Sequence, residues 1–254
     1  MVKKIVCILT IVLSASLGAQ NEVLFDSGNK SYNNGNYQQA IENYERILNS
    51  GVHSTELYFN LANAYYKLNR IAPSIYYYEK ALQLSPKNKD VKANLNFAQN
   101  MTIDDIESIP EIGISRIGKN IVNAFSFDSW ALFSIVLVMV FAALFLGYYF
   151  SSTTTKKRLA FIVSSSAIIL AMVSLFFAYQ KYQYVQKDNP AIVFAKETDI
   201  KTDPNLRSEV AFTLHEGTKV QVLEVYDENW TKIKLADGKT GWIPSEDIKL
   251  LNNI

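Results

Sequence analysis

Two stretches of 21 residues without a charged side chain, residues 130–150 and 159–179, stand only eight residues apart. At ~1.5 Å of rise per residue each makes a helix of about 31 Å, the thickness of a bilayer's hydrocarbon core. Trp130, Tyr148 and Tyr149 mark the ends of the first, and Tyr179, Tyr182 and Tyr184 lie near the end of the second. Such amphipathic rings favour the membrane interface. A chain with two adjacent runs of this kind is expected to form a transmembrane hairpin, at residues 129–150 and 159–180. The connecting segment 151–158 carries Lys156, Lys157 and Arg158, which places it in the cytoplasm by the positive-inside rule. Neither span contains Asp, Glu, Lys, Arg or His. Ion and proton paths are usually built from such groups, so a transporter is disfavoured. Ser134 and the run Ser164-Ser165-Ser166 are expected to pack one helix against the other.

The amino-terminal residues follow a second membrane-related pattern. Lys3 and Lys4 precede a short apolar run at 5–13, and small residues lead to Gly18-Ala19-Gln20. This is the layout of a secretory signal peptide over residues 1–19, with cleavage expected after Ala19. The one cysteine, Cys7, falls inside it, leaving a mature chain without a disulfide or a thiol nucleophile. Export of residue 20 onward, followed by a hairpin, returns the chain to its starting side. Both soluble parts are thus expected in the periplasm, attached to the cytoplasmic (inner) membrane.

Between these features the sequence repeats at a spacing of 34. Gly28 aligns with Ala62, Tyr32 with Tyr66, Ala40 with Ser74, Tyr44 with Tyr78, and Leu48 with Leu82. Small residues allow paired helices to approach closely, and tyrosines fill the space between them. Gly35 in Asn33-Asn34-Gly35-Asn36 supplies the inter-helix turn. Val91, Leu95 and Ala98 continue an apolar stripe as a capping helix over 89–100. This pattern resembles the tetratricopeptide repeat, whose period it shares. Two repeats and a cap over residues 20–100 are a short array, since stacked repeats usually need about three units. Unusually good aromatic packing or support from a partner is therefore expected.

In the tetratricopeptide family the concave face binds partners. The resemblance implies a partner-binding surface of Phe25, Asn29, Tyr32, Phe59, Asn60, Asn63 and Tyr66, on a face that also presents Glu22 and Glu56. Some members hold a peptide's terminal carboxylate with asparagines and lysines. Asn29 and Asn60 occupy the asparagine positions, but the basic positions fall on Phe25, Asp90 and Asn94. A mixed aromatic and amide groove for a peptide or helix fits better.

Residues 101–128 form a juxtamembrane linker. Asp104, Asp105, Glu107 and Glu111 have no histidine or cysteine nearby, and so read as solvated carboxylates and not as metal ligands. Residues 112–127 combine apolar side chains with Arg116 and Lys119, as an interfacial helix would.

The carboxy-terminal part, 181–254, changes period. Residues 219–225 and 230–235 alternate polar and apolar, as half-buried strands do. Asp237-Gly238 is a hairpin-turn signal. Pro204, Leu214, Gly217, Trp230 and Gly241-Trp242-Ile243-Pro244 resemble a bacterial-type Src-homology 3 barrel. That resemblance implies a small all-β barrel with Trp230 and Trp242 as candidate groove residues. Extracellular bacterial versions often bind peptidoglycan. The tyrosine expected shortly after Pro244 is replaced by Asp247.

The fold class is thus multidomain: an all-α tetratricopeptide pair with its cap, a two-helix transmembrane hairpin, and a small all-β barrel. No catalytic constellation is visible. His53 and His215 are the only histidines and fall in different domains, and no Gly-rich phosphate loop is present. No metal or cofactor is expected. A net charge of +1 disfavours nucleic acid as a partner. The order of parts resembles the BatE-like family of the Bacteroides-type aerotolerance (Bat) operon. That resemblance implies a membrane scaffold for von Willebrand A-domain membrane proteins and a MoxR-type ATPase. Cell-wall binding through the barrel is the competing expectation.

Overall fold

A computed structural model describes residues 20–107, 109 and 113–252; the expected signal peptide, 1–19, lies outside the described residues. The chain divides into two compact units. Of the described residues, one unit joins 20–107 with those from 189 onward, and the other lies within 109–188.

The first unit begins with five helices: α1 (residues 20–33), α2 (Tyr37–Asn49), α3 (Thr55–Lys67), α4 (Ile71–Leu84) and α5 (Lys89–Gln99). The 34-residue period governs the turns as well as the core. Gly35 has φ +80°, and Asn69, 34 residues on, has φ +56°. Asparagine is one of the few side-chain-bearing residues that enter this left-handed region readily. Ser54 caps α3 by accepting from the Leu57 amide, and Asn88 caps α5 by accepting from Asp90 and Val91. Gly28 lies directly against the ring of buried Tyr44, where a Cβ would collide.

Seven antiparallel strands follow: β1 (Pro190–Val193), β2 (Glu197–Lys201), β3 (Val210–His215), β4 (Lys219–Tyr226), β5 (Trp230–Lys234), β6 (Thr240–Pro244) and β7 (Ile248–Leu250). Their order in the sheet is β3-β2-β6-β5-β4-β1-β7. The small barrel closes around Ala191, Val193, Ile200, Val220, Ile233 and Ile243. Gly241 permits β2 to pass close by, because a Cβ there would run into Ile200.

The repeats and the barrel are docked on one another. In β1, Ala191 and Val193 point into the barrel core, while Ile192 joins the helical cluster of Tyr58, Ile75 and Val91. Leu251 is buried in the same helical cluster. A strand buried on both faces has no polar alternation, which is why 191–194 reads Ala-Ile-Val-Phe. Tyr76 of α4 packs edge-on against Phe194 at 5.8 Å and donates to the Leu250 carbonyl. Lys249 Nζ lies 4.7 Å from the same ring. Lys219 and Glu79 form an ion pair at 2.8 Å. Gly217, at φ +90°, brings the β3–β4 turn against Thr102, Ile71 and Ile75, so closely that no Cβ would fit. The support that a two-repeat array needs is thus supplied by the chain's own barrel.

The linker was expected to be solvated from residue 101, and its first part is not. Asp104 accepts from the His215 amide at 2.7 Å, from the His215 ring at 2.8 Å and from Thr218 Oγ1. Ile106 packs against the barrel core. The β3–β4 turn presents donors that water would otherwise satisfy, and Asp104 takes them.

The second unit holds α6 (Ile114–Asn123), α7 (Phe127–Phe150) and α8 (Thr154–Lys187). Helices α7 and α8 are long and apolar enough to cross a membrane. Their contact runs along Ser164, Ala167, Ala171, Ser174 and Ala178 of α8, spaced alternately three and four. Small residues at that spacing let two helices approach closely. Ser134 Oγ donates to the Ala171 carbonyl at 3.0 Å and Ser174 Oγ to the Trp130 carbonyl at 2.7 Å. Within the serine run, Ser164 is buried and donates to the Phe161 carbonyl of its own helix. The connection is shorter than the expected 151–158: α8 begins at Thr154 and already contains Lys156, Lys157 and Arg158.

Candidate functional site

The face formed by α1, α3 and α5 carries a ladder of amides and phenols. Asn29 Oδ1 accepts from the Tyr44 hydroxyl at 2.8 Å and from Asn60 Nδ2 at 2.9 Å. One repeat later, Asn63 Oδ1 accepts from the Tyr78 hydroxyl at 2.5 Å and from Asn94 Nδ2 at 2.9 Å. Burial pushes the Tyr44 hydroxyl up to about 12 and raises that of Tyr78 as well, so both stay protonated as donors. Phe25 packs on Tyr44 with ring centroids 5.9 Å apart, and Phe59 packs on Tyr78 at 6.0 Å. Tyr32 meets Tyr37 edge-on at 5.2 Å.

Thus the structure gathers Phe25, Asn29, Tyr32, Phe59, Asn60, Asn63 and Tyr66 on adjoining helices, but it employs them unequally. Asn29, Asn60 and Asn63 spend hydrogen-bonding capacity on the ladder. Space for a ligand opens at its second rung, as a cavity of about 200 Å³ lined by Tyr32, Asn63, Tyr66, Lys67, Tyr78, Asn94 and Phe97. Lys67 and Phe97 were not among the expected site residues. Lys67 lies four residues after Asn63 and so on the same helix face, which the sequence could have shown. Phe97 is 59% exposed and stands off the Val91–Leu95–Ala98 stripe, an aromatic out of register with the core. The pocket therefore has a cation after all, from a position other than those that fell on Phe25, Asp90 and Asn94.

On the barrel, cross-strand pairing sets Lys201, Trp242, Lys232 and Glu224 in one row and Pro244, Trp230 and Tyr226 in the next. Trp230 and Trp242 therefore share the outer face of the sheet. Trp242 is largely covered, with Tyr226 edge-on at 6.0 Å and Lys232 Nζ 5.5 Å from its ring. Trp230 is half-buried, and Tyr226 is exposed beside it. Asp247, at the position where a ligand-binding tyrosine was expected, accepts from Thr198 Oγ1 at 2.6 Å, and its carbonyl accepts from the Phe194 amide. It braces the start of β2.

The two histidines are separately engaged. His53 Nδ1 lies 2.7 Å from the Tyr58 hydroxyl, and the His215 ring faces Asp104.

Residues 196–249 match the bacterial SH3 domain family. Residues 55–88, from α3 to the start of the cap, match the tetratricopeptide repeat. A segment of 57 residues is 32% identical to the cell wall-binding protein YwsB of Bacillus subtilis (strain 168). It covers 22% of this chain and 32% of that relative. The chain therefore spans about a third of the relative's length.

Proposed function

We propose that this protein is a membrane-anchored interaction scaffold, non-catalytic, whose helical repeats hold a segment of a partner protein in the pocket beside Asn63. The observation that carries this is the open cavity at the second rung, where Tyr66, Phe97, Asn94 and Lys67 are left facing it. Aromatic faces, amides and one cation suit an extended or helical peptide bearing apolar and acidic groups. The membrane hairpin holds the scaffold at the bilayer. The docked unit is assembled from chain on both sides of the hairpin, which supports a single compartment for both modules. The basic residues at the start of α8 favour the periplasm as that compartment. The order of parts, which resembles that of the BatE-like family, favours von Willebrand A-domain membrane proteins as partners and aerotolerance as the process.

Cell-wall attachment through the barrel is a second function, favoured by the similarity to YwsB and by the Tyr226–Trp242–Lys232 face. One experiment separates the two. A photo-crosslinking residue at Tyr66 or at Tyr226 is placed in the full-length protein in its own membranes. Adducts with a von Willebrand A-domain protein from position 66, reduced by Lys67→Glu, support the scaffold. Adducts confined to position 226 and carrying muropeptide would transfer the function to the barrel. Adducts from neither position would overturn both.

A further inference from the structure

Helix α6 is fixed to the base of the hairpin. Val122 is buried, and its carbonyl accepts from Trp130 Nε1 at 3.2 Å. Lys181 Nζ of α8 donates to Asn123 Oδ1 at 2.7 Å. Phe125 packs edge-on against Trp130 at 5.2 Å and against Phe133 at 5.3 Å. These contacts hold one edge of the helix. The rest of its apolar arc remains uncovered: Ile117 is 62% exposed and Ile121 42%, and Phe125, just past the end of the helix, keeps 46% of its surface exposed despite its ring contacts. Arg116 and Lys119 fall on the opposite side of the helical wheel.

What covers that arc is limited by the chain itself. Only residues 124–126 separate α6 from α7, and three residues reach at most about 11 Å even when extended. The 24 residues of α7 span about 36 Å, against about 30 Å of hydrocarbon. The first turn of α7 therefore lies at the headgroup boundary, and α6 cannot leave that zone. Trp130, an expected interface marker, gives its N–H to Val122 and not to headgroups. The role passes to α6.

We infer that α6 is an in-plane lipid anchor, with Ile117, Ile121 and Phe125 seated at the headgroup–acyl boundary of the leaflet opposite the 151–153 turn. Its occupant is lipid, by continuity with the spans. The geometry sets the depth of the hairpin: an apolar face of this type sinks about 5–10 Å below the headgroups. The inference rests on α7 and α8 crossing the bilayer.

The test uses full-length Cys7→Ser protein in lipid nanodiscs, one copy per disc, with an environment-sensitive dye on single cysteines. The positions are 117, 121, 116 and 119, with 138 in the middle of α7 as the reference. Lipids brominated near the headgroup end of the acyl chain should quench emission at 117 and 121 and leave 116 and 119 bright. Aqueous iodide should do the reverse. Deep bromines should quench 138. If 138 is quenched and all four α6 positions respond only to iodide, the anchor is wrong while the spans stand. If 138 also escapes lipid quenching, the membrane hairpin itself fails. If 117 and 121 respond to neither quencher, protein covers the face and the inference is overturned.

Discussion

Replacing Asp104 with alanine should undock the barrel locally while leaving both modules folded. The carboxylate accepts from the part-buried His215 amide and from Thr218 Oγ1 as well as from the partly exposed His215 ring. Hydrogen bonds to a charged acceptor are worth roughly 1.5–3 kcal/mol each. Counting only the amide and hydroxyl gives about 3–6 kcal/mol, and rehydration of donors near the surface brings the loss to about 2–4 kcal/mol. At tenfold per 1.4 kcal/mol, the protection of the 212–218 amides against hydrogen exchange should fall about 30- to 700-fold. Exchange mass spectrometry on full-length protein in nanodiscs measures this directly. Asp105→Ala, at an exposed neighbour, serves as the control and should change protection little. If D104A leaves the turn as protected as the parent, the Asp104 clamp does not hold the barrel in place.

The same clamp should respond to pH. Burial alone would raise Asp104, but the bonds from Thr218 and His215 hold it below its ordinary 3.8, so its contribution is lost as pH falls through that lowered value. Its hydrogen bond with Asp104 raises His215 above 6.5, with Glu197 adding attraction, so that contribution is complete below 6.5 and lost as pH rises through the raised value. Protection of the 212–218 amides, corrected for intrinsic exchange, should peak between about pH 4 and 6.5; a flat profile would exclude the ion pair. Gly217→Ala places a Cβ against Thr102, Ile71 and Ile75 at φ +90° and should cost about 2–4 kcal/mol, read as a lower unfolding midpoint. In the hairpin, Ser134→Ala with Ser174→Ala removes two inter-helix bonds and should weaken α7–α8 association by about 1 kcal/mol in a detergent-unfolding series.

The modules were legible because each is made by local rules. The 34-residue period located both helical turns, since glycine at 35 and asparagine at 69 serve the same left-handed backbone. Alternation in 219–225 and 230–235 gave two barrel strands. Docking was harder to see because it depends on residues 100 or more apart. Asp104 pairs with a turn 111 residues away, and nothing in Thr-Ile-Asp-Asp-Ile marks a segment as folded. A signal did exist in the non-alternating 191–194 run, which only a strand covered on both faces can tolerate. At the repeat pocket the expected Tyr32, Asn63 and Tyr66 line the opening together with Lys67, Tyr78, Asn94 and Phe97. Asn29 and Asn63 are partly occupied by Tyr44 and Tyr78, which the repeat spacing alone did not reveal.

Covalent connection helps the two modules hold together. The docking contacts include one strand face, a few rings, an ion pair and the Asp104 clamp, and between independent proteins they would have to overcome the entropy of association. The chain removes most of that cost. Residue 189 belongs to the same chain as the repeats, so docking is intramolecular and proceeds at a high effective concentration. In the proposed topology an even number of crossings returns it to the side from which the repeats came. One crossing would have placed β1 across the bilayer from α4, where Ile192 could not reach the helical core. Ile192 and Leu251 thus supply what a third repeat would have supplied: an apolar cover for α4. The array can stop at two repeats because the chain's own barrel supplies that cover.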